Sequence, residues 1–374
     1  MVKKSTLFVC RISHKNSNSS LSIAGDLVQR EIINDCQKLH SDNNFYFLAM
    51  EPHPIWPKGN LFCKGKVEKG GKFINYINLP VLKNLIFMFF IFVYSLKYKN
   101  IIQYNSYFFE NIGILFSGIF VKNNKIIILQ DYRVGGDFSK LAIFYDVISN
   151  KLLRFFDTII PVSDALALKL NIFHKSIIFK GGITTYGYEF CARNLNDFDE
   201  KIAVFAGALE KHNGIDKLID FWTSHNIEIP LHVFGRGRLS DYVLKNSNNK
   251  NIFYHGFSSQ EVVSKWQEMA FLNFCLRYSE GLNEEYFFPS KFFNLCCCPG
   301  ILVFNNFKNL PDFFINDSIG LLSNNWVNLL TLLNLKPNSI EVISEVRKRK
   351  DFILENHTWY AILKKVLDNS EVGV

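Results

Sequence analysis

The pattern that most constrains this chain is an alternation that occurs twice. Short apolar runs, too brief to be helices, are each followed by longer stretches with apolar residues at helical spacing. In the first half the short runs are Thr6–Cys10, Asn44–Met50, Ile101–Tyr104, Lys125–Gln130 and Thr158–Val162. Largely continuous rather than alternating apolar character reads as strands buried on both faces. Between them, Leu27, Ile32, Ile33 and Cys36 recur at helical spacing over Ala24–Leu39, and 81–96 is a second, strongly apolar helix. A second series begins after residue 200, with strands Ile202–Ala206, Leu231–Phe234, Asn251–Tyr254, Phe271–Cys275 and Ile301–Val303. Its helices fall near 215–223, 239–245, 259–268 and 290–298. Such alternation predicts an α/β fold, a parallel sheet with helices on both faces. Its presence in both halves predicts two Rossmann-like domains facing a cleft, with ligands at the C-terminal ends of strands. The length of 374 residues suits two or three domains at roughly 100–200 residues each. Residues 185–200 are polar and follow neither period, so the linker is expected there.

Charge divides the chain unevenly. Residues 1–190 carry 23 Lys and Arg against 13 Asp and Glu, whereas the remainder is slightly acidic, within an overall net charge of +8. A basic half beside a nearly neutral one suits a peripheral enzyme whose substrate is held at an anionic membrane surface. No basic helix, zinc finger or RNP-like aromatic strand accompanies the charge, so nucleic acid is not the expected partner. The longest apolar run, Leu85–Leu96, is too short for the roughly 20 residues of a membrane span. Flanked by Lys83, Lys97 and Lys99, it reads either as a core helix or as one lying in the headgroup layer. The longest apolar run before Arg11 is the four residues Leu7–Cys10, short of the roughly 7–15 of a secretory signal, and a cytoplasmic protein is the expectation. The eight cysteines show no paired ligand spacing, which favours free thiols in a reducing compartment. Cys296, Cys297 and Cys298 point in different directions on a helix and read as small apolar packing rather than a metal cluster. Asp197-Phe-Asp199 is a chance carboxylate pair in the linker, and no metal or cofactor is expected.

Chemistry concentrates in the second half. Strand 201–206 runs into Gly207-Ala-Leu-Glu-Lys211-His-Asn-Gly214 and then a helix. Glycines let the backbone pass close beneath a ligand, and a helix start offers N–H groups to a phosphate. Next come Val233-Phe-Gly235-Arg236-Gly237, which lacks the third glycine of a dinucleotide fingerprint, and His255-Gly256-Phe257. Three glycine turns at consecutive strand ends point to one shared pocket. The segment from Arg277 through Glu280, Glu284 and Glu285 to Phe288-Pro-Ser290-Lys291 opens a short helix, for which Ser290 reads as the cap. Lys291, Asn294 and Cys298 share a face of that helix, putting an ammonium and an amide where a diphosphate and a ribose hydroxyl would lie. In the first half, Asp131 follows a strand and reads either as an acid/base or sugar-hydroxyl ligand or as a helix cap. Arg133 beside it can touch a phosphate. His14 opens the Ser-rich loop 13–20, on the expected acceptor side.

Together, Gly207-Ala-Leu-Glu-Lys-His-Asn-Gly214-Ile-Asp, Val-Phe-Gly-Arg-Gly, His-Gly-Phe and Phe-Pro-Ser-Lys followed by a helix resemble the donor domain of GT-B glycosyltransferases of family 4. The likeness is greatest to bacterial members that build surface polysaccharides. Asp157-Thr-Ile-Ile-Pro-Val-Ser163 resembles the strand and serine that close that family's first domain, and Asn356-His-Thr-Trp359 its C-terminal Asn-x-Ser/Thr-Trp helix. The resemblance covers about residues 155–360. It implies a GT-B fold with an acceptor domain at 1–184, a nucleotide-sugar donor domain at 201–345, and a segment 346–374 returning to the first domain. It further implies that Gly207, Lys211, Gly235, Arg236, Arg277, Ser290 and Lys291 bind the donor, with the turn Gly207–Gly214 and Lys291 holding its diphosphate. Phe257 would lie at the base and Asn294 at the ribose, with Glu284 or Glu285 near the sugar. The implied reaction is metal-independent, retaining transfer from a nucleotide sugar to an oligosaccharide or lipid-linked acceptor. Such a reaction would serve capsule, exopolysaccharide or O-antigen synthesis at the inner face of the plasma membrane.

The chain departs from the family pattern in informative places. Ala208 stands where an arginine is usual, Asn213 where a lysine is usual, and Asn294 where a glutamate holds the ribose; Tyr286 stands at the spacing of the other glutamate. Lys211 or Arg277 must then supply the missing charge. An amide still pairs with hydroxyls, so binding survives the last change on chemical grounds. Two other readings remain: a GT-B nucleotide-sugar epimerase, which needs no acceptor, and a non-catalytic partner in a polysaccharide assembly complex.

Overall fold

The computed structural model describes residues 4–14, 23–40, 44–132, 140–183, 201–247, 251–278 and 284–372. Arg133, the expected linker 185–200 and the loop beyond His14 lie outside them, as does the side chain of Glu284. The chain forms two compact units. Unit 1 comprises residues 1–181, 285–287 and 359–374, and unit 2 comprises 182–284 and 288–358.

In unit 1 the elements run β1 (Lys4–Cys10), α1 (Ile23–Leu39), β2 (Phe45–Ala49), the short strands β3 (Phe62–Cys63), β4 (Val67–Glu68), β5 (Gly71–Phe73) and β6 (Tyr76–Ile77), then α2 (Leu82–Ser95), β7 (Tyr98–Tyr104), α3 (Phe108–Phe120), β8 (Asn124–Leu129), α4 (Lys140–Leu152), β9 (Thr158–Pro161) and α5 (Asp164–Lys169). The sheet order is β4-β5-β2-β1-β7-β8-β9, parallel except for the edge strand β4. Ile101, Ile102, Ile126, Ile127, Ile128, Ile159 and Ile160 are all fully buried. Unbroken β-branched runs of this kind are the signature of strands covered on both faces.

Unit 2 contains β10 (Ala203–Ala206), α6 (Ile215–Ser224), β11 (Leu231–Phe234), α7 (Ser240–Ser247), β12 (Ile252–Tyr254), α8 (Gln260–Met269), β13 (Leu272–Cys275), α9 (Lys291–Cys296), β14 (Ile301–Asn305), α10 (Asp312–Asp317), β15 (Leu321–Leu322), α11 (Val327–Asn334) and α12 (Ile340–Asn356). Its sheet is wholly parallel, in the order β12-β11-β10-β13-β14-β15. Leaving out the short β3, β4 and β6, both sheets follow the doubly wound order 3-2-1-4-5-6, which places a topological switch between β1 and β7 and another between β10 and β13. The fold is thus α/β of the GT-B class, two Rossmann-like units.

The last helix, α13 (Trp359–Val372), returns to unit 1. Its Trp359, Ile362, Leu363, Val366 and Leu367 join Ile32, Ile33 and Cys36 of α1 in one core, and the Trp359 ring meets Phe179 edge-on at 4.9 Å. The return begins at Trp359 rather than at residue 346 as the sequence suggested. Residues 346–358 stay in unit 2 because Arg349 of α12, fully buried, donates to the carbonyls of Cys296, Cys298 and Gly300 at 2.8, 2.9 and 2.8 Å. The same bonds account for the cysteine run: Cys296, Cys297 and Cys298 form no disulfide and have no exposure, and the guanidinium satisfies the carbonyls of Cys296 and Cys298 beside them.

Segment 81–96 forms α2, packed on unit 1 by one side only. α2 buries Phe87, Ile91 and Ser95 and leaves Phe89 61% exposed. No helix among the described residues is long and apolar enough to cross a membrane.

Candidate functional site

The three glycine turns expected from the sequence meet at the C-terminal edge of the unit 2 sheet. The N–H of Gly207 donates to the carbonyl of Phe234 at 3.1 Å, that of Gly235 to Gly256 at 2.8 Å, and that of Leu209 to Arg236 at 3.0 Å. The Tyr254 hydroxyl donates to the Gly235 carbonyl at 3.0 Å. Gly235 is needed twice over: its φ is +136°, and a Cβ there would lie 1.8 Å from the carbonyl oxygen of Gly207. The ends of β10, β11 and β12 are therefore one bonded layer.

Lys291 approaches this layer from α9. Its ammonium donates to the Ala206 carbonyl at 2.9 Å, lies 4.8 Å from the centre of the Phe205 ring, and sits 3.0 Å from where a Cβ of Gly207 would be. Ala206 ends β10, so its carbonyl lacks a ladder partner, and the lysine supplies one. Burial lowers the Lys291 pKa, and the Arg277 cation acts in the same direction. Arg277 follows β13, across the switch point, where its N–H donates to Asn305 Oδ1 at 2.7 Å and Asn305 Nδ2 donates back to its carbonyl at 2.6 Å. His212 feels both cations: burial lowers its pKa, Arg277 and Lys291 add to this, and Glu210 opposes it. Positive charge thus converges where the doubly wound order reverses. Lys211 is exposed on the same loop.

Arg236 and Phe257 form a flat pair, with the guanidinium 4.6 Å from the centre of the half-exposed ring. Behind them His232 and His255 share a ring-nitrogen hydrogen bond of 2.8 Å, stacked among Phe253, Phe234 and Trp266. Sequence reasoning passed over His212, His232 and His255. The His-Gly-Phe turn marked one of them, but a loop histidine acquires meaning only from what surrounds it.

Several expectations shift. Ser290 does not cap α9: its backbone is helical, φ −54° and ψ −32°, and its side chain makes no capping bond. Helical backbone turns the hydroxyl away from the N–H groups that a β-region cap reaches. The helix spans six residues rather than nine. Asn294 lies one turn past Lys291, half-buried. Glu285, expected near the donor sugar, packs with unit 1: its carbonyl accepts from Ser163 Oγ at 2.5 Å, and the neighbouring Tyr286 ring lies 4.7 Å from Lys169 Nζ and edge-on to Tyr132 at 5.7 Å.

In unit 1, Asp131 is a clamped carboxylate, and residues 133–139, on which its reading as a helix cap depends, lie outside the described ones. It accepts from Asn105 Nδ2 at 2.8 Å, while Asn105 Oδ1 accepts the N–H groups of Gln130 and Asp131 at 3.0 and 3.1 Å. Asn105 adopts φ +58°, a conformation asparagine tolerates, and its carbonyl is tied to Gln103 Nε2 at 2.8 Å. Asp131 faces a hollow of about 70 Å³ that Tyr107, Tyr132 and Asp146 also line. At the other side of the switch, the His14 N–H donates to Glu51 at 3.1 Å and its ring lies 3.3 Å from Glu68, which also pairs with Arg30 at 3.2 Å. Glu51 is buried and reaches His53 at 3.5 Å. Among the described residues, no group of three or more His, Cys, Asp and Glu is placed to hold a metal ion.

No protein-family profile matches the sequence, and no curated protein matches it either. Solved structures do match over the whole length. HepE of Anabaena, solved with UDP, superposes with a TM-score of 0.64 at 11% identity, covering 98% of this chain and 100% of that one. Sucrose-phosphate synthase of Thermosynechococcus elongatus gives 0.65 at 11% identity over 97% of both chains. The UDP-forming trehalose-phosphate synthase of Burkholderia xenovorans, solved with glucose-6-phosphate, gives 0.63 at 10% identity over 97% and 100%. These chains share the two-unit fold described above.

Proposed function

We propose that the chain is a glycosyltransferase: unit 2 binds a nucleoside-diphosphate sugar, and unit 1 binds the hydroxyl-bearing acceptor. The observation that carries this reading is the convergence of Lys291, Arg277 and three bonded glycine turns at the switch point of a parallel sheet. When the glycosidic bond to the donor breaks, its electron pair stays on the diphosphate oxygen. Negative charge would therefore grow beside the cations of Lys291 and Arg277. Lys291, Arg277 and Lys211 take that charge in our reading, without a metal and with retention of configuration. Arg236 over Phe257 offers a flat surface for the base, and Asn294 an amide for the ribose.

On unit 1, Asp131 and His14 are the groups we assign to acceptor hydroxyls, Asp131 being held in place by Asn105. We take the acceptor to be a lipid-linked oligosaccharide at the inner membrane face, in capsule, exopolysaccharide or O-antigen synthesis, which suits the basic first half. HepE bound to UDP and a UDP-forming synthase make UDP the first nucleotide to test.

One observation favours a second reading. Asn213 Nδ2 donates to the Ala208 carbonyl at 2.8 Å, so the two positions where related enzymes carry cations bond to each other instead. A non-catalytic partner would bind nucleotide weakly and turn nothing over.

Thermal unfolding with UDP, GDP and TDP and their sugar conjugates tests the proposal. A ligand at 100 times its Kd adds about 2.7 kcal/mol to the native state, a rise of roughly 3–5 °C for a chain of 374 residues. One nucleotide family should give that rise, and Lys291→Ala should abolish most of it. No shift with any nucleotide at millimolar concentration would overturn the donor site, and a shift without sugar release to any acceptor would favour the second reading.

A further inference from the structure

We propose that the outer face of α2, α3 and α4 in unit 1 is a docking surface for an anionic lipid bilayer. The inference deepens the lipid-linked acceptor reading by naming the surface that would meet the membrane. Its starting point is α4. This helix buries a single residue, Ser149, while Leu141, Ile143, Phe144 and Val147 lie exposed, Phe144 by 56%. A surface helix ordinarily turns its apolar side inward, whereas α4 turns it out. Next to it, α3 exposes Phe116, Ile119 and Phe120, with Ile119 72% exposed, and α2 exposes Leu85 and Phe89. The helices are neighbours: Phe92 meets Phe116 and Phe120 at 5.3 and 5.7 Å, and Phe108 stacks on Tyr145 at 4.9 Å. An open apolar groove runs between α3 and the end of α4, lined by Ile112, Leu115, Leu152 and Phe155 among others. Single exposed apolar residues need no explanation, but a contiguous face of them marks an interaction site.

Charge decides what covers this face. Lys97, Lys122, Lys140, Lys151 and Arg154 are exposed around it. The acidic residues described in the same region are otherwise engaged: Glu110 is buried against Arg11, Asp157 pairs with Lys125 at 3.0 Å, and Asp146 lines the hollow beside Asp131. A second copy docked through a two-fold axis would set this basic rim against itself. Anionic headgroups instead meet the ammonium groups while the Phe and Ile side chains enter the acyl boundary. At 1.5 Å per residue, the 13 residues of α4 extend about 20 Å, short of a roughly 30 Å hydrocarbon core. The helix would therefore lie in the membrane plane.

Sedimentation of the full chain with phosphatidylcholine vesicles, with and without phosphatidylglycerol, tests the proposal. The double variants Ile119→Glu/Phe144→Glu and Lys140→Glu/Lys151→Glu change only exposed side chains and leave the donor-site residues untouched. Binding to the phosphatidylglycerol vesicles is expected, with a loss of roughly tenfold or more in each double variant and at about 0.5 M salt. UDP-dependent stabilisation should stay at the wild-type level in both. Absence of binding to anionic vesicles, or wild-type binding by the variants, would overturn the proposal. So would a dimer in light scattering that the Ile119/Phe144 variant dissolves, which would assign the face to a second copy. Vesicle binding without any nucleotide shift would sink the donor reading and leave this surface standing.

Discussion

Single side chains here take their roles from distant partners. Nothing near Arg349 in the sequence marks it as buried; its three carbonyl partners lie about fifty residues earlier. A basic residue in a helix reads as solvated until the fold is known. Asp131 was legible as a strand-end carboxylate, but the Asn105 side chain that orients it was not, because that contact spans 26 residues. The His232–His255 pair likewise needed two strands, β11 and β12, to pair, and it has a measurable consequence. Burial, reinforced by His255, lowers the His232 pKa to about 4, and burial lowers that of His255 too. The unfolded chain therefore binds protons more readily than the folded one between about pH 6.5 and 4. Stability should be fully present above pH 6.5 and fall by up to about 3 kcal/mol as pH drops toward 4. Urea unfolding at a series of pH values checks this; His232→Phe should flatten the decline, and an unchanged slope in that variant would refute the assignment.

At the level of strands and turns, the reading of unit 2 was close. The five anticipated strands match β10–β14 to within two residues at either end, since continuous apolar runs between polar turns are local information. The six-residue α9 was overestimated because the following cysteines are apolar enough to extend a helical pattern while the backbone turns away. The turns themselves make an unequal prediction for two glycines. At Gly235 a methyl group would meet a carbonyl oxygen at 1.8 Å, whereas at Gly256, φ +65°, nothing lies within 4 Å. Gly256→Ala should cost about 1 kcal/mol, the penalty of a left-handed backbone alone. Gly235→Ala should cost about 3 kcal/mol or more and remove the nucleotide-induced shift, because β10 and β11 must part to admit the group. Denaturant midpoints of the two variants, compared directly, decide the point: equal losses would mean that the bonded layer of turns is not rigid.

Across the whole molecule, the chain returns to its beginning. α13 supplies Trp359 and four aliphatic residues to the core around α1. Trp359→Ala should therefore cost unit 1 about 3–5 kcal/mol and leave unit 2, whose core holds Trp222 and Trp326, close to wild type. A thermal melt that broadens or splits into two steps would fit; a single transition displaced as a whole would show that the units unfold together. From the order of its residues alone, this protein is committed to two doubly wound α/β units with glycine turns at the strand ends. Strand and helix periodicities are local, and chain order with right-handed crossovers leaves few ways to stack them. Proximity and exposure are different in kind, because each sums contributions from segments far apart in the chain. For that reason folding was needed to bring His212 within the influence of Arg277 and Lys291, to draw Glu285 into unit 1, to seat Arg349 against the cysteine carbonyls, and to leave the apolar side of α4 uncovered.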